Sequence, residues 1–189
     1  MKKKFRNDVI NSRNLIDQKT LSHNSLKITE KLLSLPFISS ASTFMLYLDF
    51  KNEVKTDKLV LDLLNMQKTV AAPITIKSEH KLLPHKISNL ESDLTFGAYG
   101  IREPLSTTLS IDVKDIDVLI VPAVSYDLDG YRLGYGGGFY DRFIESLNPN
   151  CITVGIAFEL QVFEDIPKEP HDAKLDYIIT EDRIINTSI

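Results

Sequence analysis

The stretch RLGYGGGFYDRF, residues 132–143, packs four of the chain's eight glycines into five positions and flanks them with Arg132, Asp141 and Arg142. A glycine run that leads into a helix is a recurrent phosphate cradle. The first N–H groups of a helix lack partners, the helix dipole adds partial positive charge there, and glycine lets the anion approach. Two common fingerprints fail, however. G-x-G-x-x-G starting at Gly134 needs glycine where Phe139 stands, and a Walker A loop needs a lysine and a hydroxyl that are absent. The excursion from Pro122 to Gly134 is also longer than the tight turn of either motif. The glycines alone therefore leave two readings open, a mobile surface turn and a close approach to an anionic ligand.

The flanking charges sharpen that choice. Asp141 falls in the first turn of the helix, which suits the dipole but repels a phosphate bound at the same place. A bridging Mg²⁺ removes the conflict, because it takes carboxylate and phosphate oxygens together. Arg132 and Arg142 then supply charge-assisted contacts of about 1.5–3 kcal/mol each. The alternative is an aspartate that only complements the dipole, beside two solvated arginines.

These groups need a scaffold, and the hydrophobic pattern describes one. Phe5, Val9 and Ile16 share a helical face, and so do Leu21, Ile28, Leu32 and Leu35 after a break near Thr20, which predicts two N-terminal helices, the second ended by Pro36. STFMLYL (42–48) reads as a strand, and Thr56 as the N-cap of an amphipathic helix with Asp57 at its positive end. KTVAAP (68–73) is a short buried strand, and the prolines of the following segment fit an edge hairpin. DVLIVP, CITVGIAF and DYIIT are apolar throughout, and Phe139, Phe143 and Leu147 mark a helix face. Apolar strands alternating with helices predict a three-layer α/β/α domain with a largely parallel sheet, as one unit over residues 1–189.

A formal net charge of −4 argues against a nucleic-acid or membrane-surface binder and is compatible with a small anionic ligand. Cys151 is the one cysteine, so an internal disulfide is excluded and a reducing, cytoplasmic location is expected. MKKKFR lacks the apolar stretch of a secretory signal, and no apolar run approaches the roughly 20 residues that cross a bilayer.

Taken whole, VPAVSYDLDGYRLGYGGGFYDRFI (121–144) resembles the signature segment of the 5-formyltetrahydrofolate cyclo-ligase family, also called methenyltetrahydrofolate synthetases. The resemblance continues through K-x-x-x-R (Lys2 to Arg6), E-x-x-T (Glu53 to Thr56), YGIREP (99–104), AFELQ (157–161) and IPKEPHDAKLDYIIT (166–180). It implies a NagB/RpiA/CoA transferase-like architecture and an ATP-dependent, Mg²⁺-assisted closure of 5-formyltetrahydrofolate to 5,10-methenyltetrahydrofolate. A monomer acting on small molecules is expected.

Carried over position by position, the resemblance implies nucleotide contacts from Lys2, Lys3, Lys4, Phe5 and Arg6 and from Arg132, Leu133, Gly134, Tyr135, Gly136, Gly137, Gly138, Phe139 and Tyr140. Arg132 and Tyr140 are the implied catalytic groups, and Asp141 and Asp172 the implied metal ligands. Leu48 and Glu53 would meet the folate, with Tyr135 to Phe139 on the loop side. On residue type alone, Glu53 is a solvent-facing charge and the basic start a frayed tail. His171 is read at most as the neighbour of a ligand, and His80 and His85 as surface residues. Tyr99 and Arg102 either cover the folate or only shape their loop. Phe139 stands where members usually carry tyrosine, and Tyr135 and Gly137 where some carry basic residues. The rival functions are a non-catalytic folate or nucleotide binder and a sugar-phosphate isomerase or acyl-transfer enzyme of related architecture.

Overall fold

The computed structural model describes residues 2–169 and 172–188. Its helices are Lys2–Asn14 (α1), Gln18–Leu33 (α2), Pro36–Ser40 (α3), Asp57–Asn65 (α4) and Phe139–Ser146 (α5). Its strands are Thr43–Met45 (β1), Thr69–Ile76 (β2), Lys81–Ile87 (β3), Leu94–Phe96 (β4), Arg102–Pro104 (β5), Val118–Val121 (β6), Ser125–Asp127 (β7), Arg132–Leu133 (β8), Ile152–Ile156 (β9), Val162–Phe163 (β10), Tyr177–Ile179 (β11) and Ile184–Asn186 (β12).

Seven strands form the central sheet in the order β12-β11-β9-β6-β1-β2-β3. The five inner strands run parallel, and β12 and β3 close the two edges antiparallel. Successive residues of the inner strands bury opposite ways, because side chains alternate across a pleated strand. Phe44, Val70, Val118 and Val154 pack with Leu21, Ile28 and Leu32 of α2 and with Leu59, Val60 and Leu63 of α4 in one core. Met45, Ala71, Leu119 and Ile178 join Phe143 of α5, and Leu147 just beyond that helix, in a second core on the other face. A sheet covered on both faces explains why these strands read as unbroken apolar runs. The expected three-layer architecture is therefore present.

Local differences from the sequence expectation have physical causes. The break between α1 and α2 falls before Thr20, since Asp17 caps α2 by accepting from the backbone N–H of Lys19 and Thr20, each at 3.0 Å. Pro36 does not end α2, which stops at Leu33; it opens α3, where a missing N–H costs nothing. Thr56 is the N-cap residue of α4 as expected, but it makes no side-chain cap, because its hydroxyl is engaged with Asp49. The strand begun by KTVAAP runs on to Ile76 and is itself the first arm of the edge hairpin, with Pro73 opposite Pro84. β1 pairs β2 only over residues 69–71, so Pro73 withholds no ladder donor on that side.

The chain order creates the place for a site. β1 connects to β2 on one side, while β6 lies against β1 on the other, so the connections diverge beyond the carboxyl ends of β1 and β6. Such a crevice is where open α/β sheets bind ligands. Leu46 to Glu53 leave β1 into it, and Pro122 onward leave β6. β7 and β8 then form a hairpin whose turn is held by Asp127, which accepts from the N–H groups of Asp129 and Tyr131. That hairpin delivers Arg132 and launches the glycine loop.

Candidate active site at the carboxyl ends of the central strands

The glycine loop is shaped by its own backbone. Gly136 has φ +99° and Gly138 φ +66°, conformations that a side chain disfavours. Gly138 is the residue before α5 and offers no side-chain cap, so the helix's leading N–H groups are left to other acceptors. A Cβ on Gly137 would sit 2.6 Å from the Phe139 ring. Arg142 reaches back to the carbonyls of Gly137 and Gly138, the latter at 3.1 Å, and so braces the loop.

α1 closes one wall. Arg6 donates from Nε to the Gly134 carbonyl at 2.7 Å, and Phe5 packs edge-on against Phe163 at 5.1 Å. Lys2, the first residue of α1, reaches Glu169 at 2.8 Å and lies 3.6 Å from Asp172. The basic start is thus ordered helix and not a frayed tail, while Lys3 and Lys4 are exposed.

At the centre is a buried polar group that the apolar surroundings make costly. Glu53 is 9% exposed and accepts from the Phe50 N–H at 2.9 Å and from the Tyr135 hydroxyl. Burial raises its carboxyl above the usual range, against the opposing pull of the Tyr135 hydrogen bond, the Phe50 N–H and the Arg13 charge. Glu53 is therefore no solvent-facing charge. Tyr135 is half exposed along its ring, but its hydroxyl turns inward, and burial followed by the Glu53 charge raises that phenol. Arg13, 4% exposed, donates both Nη groups to the same hydroxyl at 3.1 Å. Leu48, at 3% exposure, belongs to the core on the α2 and α4 side of the sheet. Tyr140 is partly buried, with its phenol raised by desolvation and then by Glu53.

A second charged unit lies at the start of α5. Buried Arg132 donates to Asp141 Oδ1 at 2.6 Å and to the Ala173 carbonyl at 3.2 Å. Arg132 thus spans from Asp141 to the residue after Asp172, and a direct neighbour already takes its charge. Asp172 in turn accepts from the Glu169 N–H at 2.7 Å. Among the described residues no three His, Cys, Asp or Glu side chains cluster to hold a metal. Two carboxylates and no cage fit Mg²⁺, which keeps waters and takes phosphate oxygens for the rest of its shell. His171 lies outside the described residues.

The sequence reading missed two contributors. Arg13 follows Lys2, Arg6 and Val9 at spacings of one helical face, a basic stripe crossing the apolar one, and that spacing was a usable signal. His80 is exposed, as expected of a surface residue, but it also caps the β2–β3 hairpin and reaches the Gly137 carbonyl through Nδ1 at 3.1 Å, its ring 5.3 Å from that of Phe139. Only the tertiary fold brings it there. Arg102 grips Asp57 at 2.7 Å and Asp49 at 3.3 Å, beside an open cleft of about 380 Å³ that also involves Phe50, Lys55 and Phe96. Tyr99 instead lies under the Lys77 ammonium.

Known proteins share this fold and its sequence pattern. Residues 1–181 match the 5-formyltetrahydrofolate cyclo-ligase family. A 5-formyltetrahydrofolate cyclo-ligase of Haemophilus influenzae is 32% identical over 154 residues, covering 78% of this chain and 80% of its own. That of Escherichia coli is 31% identical over 168 residues, with 82% and 86% covered. The solved structure of Aquifex aeolicus 5,10-methenyltetrahydrofolate synthetase superposes with a TM-score of 0.88 at 29% identity, covering 100% of this chain and 93% of that one. A 5,10-methenyltetrahydrofolate synthetase from Mycoplasma pneumoniae gives 0.78 at 27% identity, with 95% and 98% covered. With the match running through the glycine loop, the basic helix and the segment that carries Glu53, the chain belongs to the 5-formyltetrahydrofolate cyclo-ligase family.

Proposed function

We propose that this protein closes 5-formyltetrahydrofolate to 5,10-methenyltetrahydrofolate using ATP, releasing ADP and phosphate. The observation that carries this reading is the closure of the glycine loop, through Tyr135, onto buried Glu53, while Arg6 ties the same loop to the basic helix. A loop that meets a buried acceptor on one side and a cationic helix on the other suits a site where a folate and a polyphosphate must touch.

The chemistry explains the need for ATP. A formamide oxygen is a poor leaving group. Its attack on the terminal phosphorus breaks the bond to ADP and leaves an imidate-like phosphate; the folate N10 then bonds to the same carbon, phosphate departs with the former formyl oxygen, and N10 loses its proton. Phosphoryl transfer of this kind asks for positioning and charge neutralisation more than for a covalent nucleophile. Glu53 accepts from N–H groups of the pterin, with Leu48 as apolar floor and Tyr135 to Phe139 as the facing wall. Lys2 and Arg6, with Lys3, Lys4 and Phe5 on the same helix, address the nucleotide, as do the N–H groups from Leu133 to Tyr140. Asp141 and Asp172 would hold Mg²⁺, which supplies charge neutralisation on the phosphates. Arg132 orients Asp141 from behind, and Tyr140 lines the site close to Glu53.

The reading includes a cytoplasmic protein working as a monomer. In keeping with a reducing compartment, the one cysteine, Cys151, is a free, buried thiol pushed up to about 12 by desolvation. No described helix is long and apolar enough to cross a membrane. Purified protein given ATP, Mg²⁺ and 5-formyltetrahydrofolate should generate the near-ultraviolet absorbance of the methenyl product. Binding of folate by the folded protein with no ATP consumption would instead show a non-catalytic binder.

A further inference from the structure

Arg13 sits where the fold makes a cation unfavourable. It is 4% exposed, and among the described residues its side chain forms no direct ion pair with a carboxylate. Its hydrogen bonds converge on a single oxygen, the Tyr135 hydroxyl, and among the described residues its buried Nε has no partner. An arginine needed only to neutralise Glu53 would touch it; here a phenol stands between them.

That interposition has a directional consequence. A phenol oxygen has one proton to give and lone pairs to accept with. With both lone-pair directions taken by the Arg13 fork, the hydroxyl proton can only point away, and it points to Glu53 Oε1. Arg13 therefore fixes which way Tyr135 donates. Because Tyr135 lies between Gly134 and Gly136, the same contact pins the middle of a backbone that glycine leaves otherwise free.

We propose that Arg13 is a positioning residue of the cyclo-ligase reaction, acting through the Tyr135 hydroxyl to hold the glycine loop over Glu53 and keep that carboxylate an acceptor for the folate. The inference rests on the reading of Glu53 as the folate acceptor. The titratable and charged groups that bear on Glu53 are Tyr135, which contacts it, and at longer range Arg13, Asp49 and the phenols of Tyr47, Tyr126 and Tyr140. Tyr135 and Arg13 favour its ionised form, whereas burial and the Asp49 charge disfavour it. Removing Arg13 thus raises the pH at which Glu53 becomes an acceptor.

The test is a double-mutant cycle on steady-state turnover of 5-formyltetrahydrofolate, with Arg13→Gln, Tyr135→Phe and the pair. Each single change should lower kcat/KM for the folate about tenfold with KM for ATP within about twofold, and the pair should be no worse than about twofold below the weaker single. Arg13→Gln should also move the acid limb of kcat/KM for the folate to higher pH, with Arg13→Lys shifting it less. Losses that multiply in the pair, or an acid limb left in place by Arg13→Gln, would overturn the assignment. Should Arg13→Gln fail to fold, Arg13→Lys takes its place in the cycle. A Glu53→Gln variant with unchanged folate KM would sink the Glu53 reading beneath it, whereas multiplying losses beside a Glu53→Gln defect remove the role of Arg13 alone.

Discussion

Replacing Asp141 by Asn separates the two tasks assigned to that carboxylate. Its partner, the Arg132 side chain, is 3% exposed, and the 2.6 Å contact to Asp141 is supplemented by the Ala173 carbonyl at 3.2 Å. Removing one member of a fully buried ion pair costs about 3–5 kcal/mol. Two features reduce that figure here. The Asp141 side chain is 39% exposed, so water already screens the pair, and Asn keeps an oxygen in place to accept from Arg132. The expected loss of stability is therefore about 1–2 kcal/mol. For a chain of 189 residues, at about 2–4 °C per kcal/mol, the melting temperature should fall by about 2–8 °C. Turnover should suffer more, because a carboxylate proposed to hold Mg²⁺ becomes a neutral amide; kcat/KM for ATP at limiting Mg²⁺ should drop at least about tenfold and recover in part as Mg²⁺ is raised. Calorimetry and steady-state kinetics on the same preparation separate the effects. Unchanged kinetics at limiting Mg²⁺ would refute the metal role, and complete unfolding would refute the screened-pair argument.

Two further changes probe the folate wall and the loop. Glu53→Gln should raise KM for 5-formyltetrahydrofolate about tenfold by removing a charged acceptor. The same variant should be more stable than the wild type at neutral pH. A carboxyl whose folded pKa is raised above its ordinary 4.5 favours the fold most when protonated and loses that contribution as pH rises through the folded value. Thermal melts across about pH 5–8 that show no gain for the variant would contradict the burial argument. Gly137→Ala places a Cβ 2.6 Å from the Phe139 ring, which must shift and so disturb its packing with His80. A loss of about 1 kcal/mol and a raised KM for ATP are expected, and wild-type values for both would show that the loop is not packed as described.

Periodicity was enough to find the layers of this fold, because strands buried on both faces cannot hide their apolar runs. It failed where a residue's partner is remote. Thr56 stands at the N-cap position its type suggests, but the capping bond is missing because Asp49 across the loop claims its hydroxyl. The extension of β2 through Pro73 was illegible because only the shortness of its β1 neighbour makes a proline tolerable there. The glycine loop and Asp141 drew attention in the sequence, but a turn and a helix-dipole partner have the same residue types, so only the family pattern turned them into proposed chemistry. Glu53 drew attention only through the family pattern; its type and neighbours suggest a surface charge, and its burial comes from Tyr135, 82 residues away. Arg13 was hidden by an apolar stripe read over the same helix, and His80 by a hairpin whose tip meets the loop only in three dimensions.

The central claim is that ATP activates the formyl oxygen, and the fate of that atom tests it most directly. With 5-formyltetrahydrofolate carrying heavy oxygen in the formyl group, a single turnover should place the label in inorganic phosphate as the methenyl absorbance rises. Methenyl product formed with unlabelled phosphate would contradict the account.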